Sequence, residues 1–141
     1  MARLRLFFLF WGVLAAGLSS QAQSIRHTTW KAYFLPINDS VTLRFSSDSM
    51  LVRTDSGVTL LQSGYKDSNN IVTLEDNGGV NACPHFAGRY QVKVRADTLI
   101  MILNDDRCDL RSGTLMAKWW VRVPEPAKPA EPARKKKRGK G

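Results

Sequence analysis

Between residues 28 and 123, apolar side chains recur at every second position in short runs. Val41, Leu43 and Phe45 alternate with Thr42 and Arg44, and Tyr90, Val92 and Val94 alternate with Gln91, Lys93 and Arg95. A period of two is the mark of a strand with one face buried. Turn-forming residues interrupt the runs at short intervals: Asn38-Asp39-Ser40, Ser46-Ser47-Asp48, Asp55-Ser56-Gly57, Asp67-Ser68-Asn69-Asn70, Asp76-Asn77-Gly78-Gly79, Ala96-Asp97 and Asn104-Asp105-Asp106. Asp, Asn and Gly tolerate the left-handed backbone that tight turns require. The pattern predicts eight strands, over 28–35, 41–45, 50–54, 57–65, 71–75, 88–95, 98–103 and 114–123, with one helical turn near 107–112. A long helical period is absent.

Eight strands joined by hairpin-length connections predict an all-β fold, an up-and-down antiparallel barrel, because closure removes the two edges an open sheet would expose. A β-sandwich is the alternative. Parity places Trp30, Ala32 and Phe34, then Val41, Leu43 and Phe45, then Tyr90, Val92 and Val94, and finally Leu115, Ala117, Trp119 and Val121 on the inner face. Phe34, Phe45, Tyr90, Met101 and Trp119 are the candidate wall of a pocket for a small apolar ligand; in so small a barrel the same residues also serve simply as core. Trp119 and Trp120 are neighbours, so in a strand one indole points outward. The run 98–103 is apolar on both faces, which predicts a central or covered strand.

The ends of the chain are unlike this middle. Arg3 and Arg5 precede the apolar run from Leu6 to Leu18, and Ser20-Gln21-Ala22 supplies small residues at minus three and minus one. That order predicts a secretory signal over 1–22, cleaved before Gln23. As a helix the apolar run reaches only ~20 Å, short of a membrane core, and no cysteine follows it to accept a lipid. The mature chain is therefore expected to be secreted or periplasmic. In that compartment Cys83 and Cys108 are expected to form a disulfide. Closing a loop of about 25 residues stabilises a fold by roughly 3.5 kcal/mol in the chain-entropy model.

The net charge of +9 is concentrated at the ends. Residues 124–141 carry seven lysines and arginines against Glu125 and Glu131, a net of +5, and the signal carries two more arginines. The domain over 23–123 is close to neutral. Four prolines in the first ten residues of the tail favour an extended polyproline spacer. Beyond it, Arg134, Lys135, Lys136, Lys137, Arg138 and Lys140 form a cluster that binds polyanions by counterion release, without regard to sequence. Anionic lipid headgroups, lipopolysaccharide phosphates, nucleic acid and acidic polysaccharide are the candidate partners. A solvated tail with no dedicated partner is the plain alternative.

Short motifs add a resemblance. Thr28-Thr29-Trp30 in the first strand, Gly88-Arg89-Tyr90, Asp97-Thr98-Leu99, Cys108 followed by Arg111, and Trp119-Trp120-Val121-Arg122 resemble the small secreted lipocalin-like proteins of bacteria, calycin barrels in the broad sense. The resemblance covers about 95 residues. It implies that Trp30 packs at the barrel floor and that an arginine from the far end of the chain stacks on it, Arg122 being the match and Arg111 its rival. Such a stack is worth roughly 0.5–2 kcal/mol. Where the family has glycine two residues before the tryptophan, this chain has Thr28.

Candidate chemistry is sparse. His27 and His85 are the only histidines, and neither has a nucleophile or a metal-ligand companion at a telling spacing. Asp105, Asp106 and Asp109 could offer oxygens to a hard cation, but acids at hairpins are ordinarily turn formers. The expectation is a non-enzymatic binding module without metal or cofactor and without a specific nucleic-acid partner. It acts through its interior, through its basic tail, or as a scaffold for a protein partner.

Overall fold

A computed structural model describes residues 24–116 and 119–125. The predicted signal and the basic cluster at 134–140 lie outside the described residues, as does Ala117. Eight antiparallel strands close into one up-and-down barrel in chain order. They are β1 (Thr28–Phe34), β2 (Asp39–Phe45), β3 (Ser49–Thr54), β4 (Thr59–Ser68), β5 (Ile71–Gly78), β6 (Gly88–Arg95), β7 (Thr98–Asp105) and β8 (Trp120–Arg122). One helix, α1 (Asp109–Met116), lies between β7 and β8.

The hairpins form where turn chemistry predicted them. Asn69 and Asn70 both adopt positive φ, 51° and 62°, in the two-residue loop between β4 and β5, the backbone that lets a tight turn follow the twist of its strands. Register shifts at Val52/Arg53, Gln62/Ser63 and Arg89/Tyr90 insert bulges into the ladders. Bulges increase local twist and bend a sheet toward closure. The β-sandwich alternative is excluded by this single closed sheet.

Two predicted strands are corrected. The predicted strand 114–123 is instead the end of α1, a connection, and the three-residue β8. Cys108, Arg111, Ser112 and Leu115 are all buried, and their spacing of i, i+3, i+4 and i+7 is that of one helix face. An arginine and a serine fill two of the four positions, so an apolar periodicity does not reveal the helix. The strand predicted to end at residue 75 runs on to Gly78 because Asp76, in phase with Val72 and Leu74, turns inward and finds a buried partner.

Trp30, Ala32, Val41, Leu43, Phe45, Tyr90 and Val92 are buried, while Phe34 and Val94 are half-buried and pack against the core. In β8 the parity is reversed from expectation. Trp120 is buried and pairs with Leu99, whereas Trp119 and Val121 face outward. The run 98–103 is less covered than its composition suggested, with Leu99 and Met101 inside and Ile102 and Leu103 exposed.

Candidate functional site

Of the five candidate pocket residues, the barrel holds three firmly inside. Phe45 and Tyr90 are 0% exposed and Met101 is 2% exposed. Leu43, Met50, Leu61, Leu74, Leu99 and Leu115 are likewise at 0%, so no water-sized space touches these side chains. Dispersion contacts of this density are what a filled core looks like. Phe45 also meets Tyr65 edge to face, with centroids 5.3 Å apart. Phe34 lies at the rim. Trp119 is 77% exposed and forms no part of an inner wall; β8 enters one residue out of the expected phase because α1 consumes the preceding turn.

One end of the barrel carries a polar cluster that the sequence reading missed. The Arg111 guanidinium is fully buried and grips Asp106 in a bidentate pair, Nε to Oδ2 at 2.7 Å and Nη2 to Oδ1 at 2.7 Å. Nη2 also donates to the Phe86 carbonyl at 2.9 Å, and Nη1 lies 2.8 Å from Asp76 Oδ2. Two carboxylates against one cation leave an excess negative charge, which neutral donors hold. Ser63 donates to Asp76 Oδ1 at 2.6 Å, the Cys83 N–H to Asp76 Oδ2 at 2.7 Å, the Cys108 N–H to Asp106 Oδ1 at 2.8 Å, and the Tyr90 hydroxyl to Asp106 Oδ2. Arg111 Nη1 makes no hydrogen bond and is held by the charge of Asp76 alone; pairing and hydrogen bonds at the other polar atoms are what make the buried charges tolerable.

The disulfide Cys83–Cys108 bridges the two loops above this cluster, and each of its half-cystines donates its own N–H to one of the two aspartates. Gly88 leaves room for the guanidinium: a Cβ there would sit 2.8 Å from Arg111 Nε and Nη2. Burial opposes ionisation of Asp106, yet the hydrogen bonds from Arg111, Tyr90 and the Cys108 N–H outweigh it and hold the carboxyl below its ordinary range. Burial and the bond to Asp106 push the Tyr90 hydroxyl well above its usual value. Burial works against the Arg111 charge too, but the two aspartates raise its pKa overall. Tyr90 therefore stays a donor and Arg111 a cation near neutral pH. A buried set fixed in this way ties the loops above it together.

At the opposite end, the Arg122 guanidinium carbon stands 4.4 Å from the centre of the Trp30 ring. Arg122 is thus the arginine on Trp30, and Arg111 belongs to the other end. Trp30 Nε1 donates to the Thr28 hydroxyl at 2.8 Å, which in turn donates to the Ile25 carbonyl. Thr28, standing where the resemblance implies glycine, gives the indole N–H its acceptor. Asp106 of the candidate acid cluster is committed to Arg111, and Asp105 and Asp109 are exposed. No group of three or more His, Cys, Asp or Glu suited to a metal ion occurs among the described residues. His27 and His85 are both exposed.

Among the described residues no helix is long and apolar enough to cross a membrane. That and the disulfide are compatible with export. The closed eight-stranded antiparallel barrel is consistent with a lipocalin-like fold. No family model, no curated protein and no solved structure matches the chain.

Proposed function

We propose that this protein is an exported, non-enzymatic barrel of the small bacterial lipocalin-like kind that works from its exterior, attaching to an anionic envelope component through its basic cluster. The filled interior carries this reading: with Phe45 and Tyr90 inaccessible to water and Met101 nearly so, an apolar ligand would have to displace core side chains, at a cost of several kcal/mol for repacking. Binding work then falls to the outside. The charge partition supports the same assignment, since the tail holds a net +5 while the barrel is almost neutral.

The test replaces Arg134, Lys135, Lys136, Lys137, Arg138 and Lys140 with glutamine in the full mature chain and measures association with lipopolysaccharide and with acidic vesicles across a salt series. The expected result is steep salt dependence in the parent, because each neutralised phosphate releases counterions, and loss of binding in the variant. Unchanged binding in the variant, or indifference to salt, overturns the reading. Native mass spectrometry of the parent from its own source checks the rival: a small apolar molecule that co-purifies in stoichiometric amount would return function to the interior.

A further inference from the structure

We propose that the outer face of β6, β7 and β8 is a docking surface for an anionic lipid bilayer, so that the barrel lies on the membrane with a fixed side down. The proposal rests on the envelope attachment above and adds a second contact and an orientation. Arg89, Lys93 and Arg95 alternate along β6 on its exposed side, and none of them makes an ion pair among the described residues, in contrast to Arg26 with Asp67 and Lys31 with Asp55. Arg89 stands opposite Asp105 in register; Lys93 and Arg95 have no acid opposite.

The neighbouring strands supply the apolar half. Lys93 pairs with Ile100, Arg95 with Thr98, and Thr98 with Val121, so Val121 lies two strands, or about 10 Å, from Arg95 on the same face. Ile102 and Val121 are exposed, and Trp119, one residue before β8 and in phase with Val121, is 77% exposed. Unpaired cations beside an exposed indole and aliphatic side chains match the two layers of a bilayer surface, anionic headgroups and the acyl boundary where tryptophan prefers to sit. Charge complementarity favours lipid over a protein partner. The order of the chain agrees, since residue 124 follows two residues after β8 ends, so the segment that leads to the basic cluster leaves from a strand of this face.

The experiment uses the full mature chain with phosphatidylglycerol vesicles, some carrying brominated acyl chains that quench tryptophan on contact. Trp30 and Trp120 are buried, so quenching reports on Trp119. Four forms are compared: parent, Trp119→Ser, Lys93→Gln with Arg95→Gln, and the tail-neutral variant, each first matched to the parent in thermal midpoint. Quenching is expected in the parent and absent in Trp119→Ser. Affinity is expected to fall roughly fivefold per charge removed from β6. If the tail-neutral form binds weakly but is still quenched at saturating lipid, the face docks in its own right.

Normal affinity and quenching in the Lys93→Gln, Arg95→Gln form overturn the proposal; loss in the tail-neutral form alone then leaves the envelope reading standing. Parent protein that binds heparin or an oligonucleotide yet shows no bromine quenching names a soluble polyanion as the occupant and also overturns it. Absence of binding to any of these defeats both readings.

Discussion

At the disulfide end of the barrel, one guanidinium is locked between two carboxylates by eight polar contacts within hydrogen-bonding distance. At the tryptophan end, the Arg122 guanidinium carbon stands 4.4 Å from the centre of the Trp30 ring, and among the described residues no acid pairs with it. The first closure is all-or-none. Each group is buried only because the others are present, so removing one member strands charge in a medium that cannot solvate it. The second is graded: the Arg122 guanidinium is half-buried over the ring with its Nη2 buried and without a hydrogen-bond partner, and its loss forfeits chiefly the attraction to the ring. A small barrel can thus be sealed by specificity at one end and by surface area at the other, with different consequences for mutation.

The contrast can be broken most sharply at Arg111. Arg111→Met leaves Asp76 and Asp106 buried without their cation, and a loss of about 3–5 kcal/mol in urea unfolding at neutral pH is expected. Replacing Cys83 and Cys108 together by alanine is expected to cost roughly 3.5 kcal/mol for a separation of 25 residues. Because both half-cystines donate to the aspartates, the two changes should fall short of additivity when combined, which a double-mutant cycle measures.

Acid tests the same end without mutation. Asp106 ionises at lower pH in the fold than in the unfolded chain, so its contribution is complete above pH ~4, the ordinary carboxylate range, and drains away as pH falls through its depressed folded value. The parent should therefore lose stability below that range. Arg111→Met should respond in the opposite sense, its relative deficit shrinking in acid as the stranded carboxyls take up protons; a deficit that is constant with pH would contradict the charge argument. At the other end, Arg122→Gln is expected to cost only about 0.5–2 kcal/mol. Smallest of all, Ala96 holds φ 48° in the β6–β7 turn, and Ala96→Gly should raise the thermal midpoint by the equivalent of about 1 kcal/mol or less, relieving the left-handed penalty.

Much of this fold was legible because strands with one wet face declare themselves through alternation. The barrel's order and the hairpins follow from period and turn chemistry, and the cysteine pair from the oxidising compartment that the signal predicts. The polar end was hidden for a specific reason: Ser63, Asp76 and Arg111 sit at inward positions where the pattern seeks apolar residues, so Asp76 reads as a turn and Arg111 enters only as a rival for the place on Trp30. Asp76 shares the phase of Val72 and Leu74, and Arg111 that of Cys108 and Leu115. The reversal of Trp119 and Trp120 had the same origin. Once α1 was invisible, the last strand was extended backward through it, and parity was carried along the wrong register.

β8 has one further consequence. It contributes only the pairs Leu99–Trp120 and Thr98–Val121 on one side and Trp30–Arg122 and Lys31–Val121 on the other, the shortest ladders of the cylinder. All seven other strands are joined to one another by hairpins or the bridged loop. Unzipping this seam would release a seven-strand meander that keeps every other ladder intact, so the cheapest excursion from the native state is a sideways opening, and amide exchange along Val121 and Arg122 should be the first in the sheet to report it.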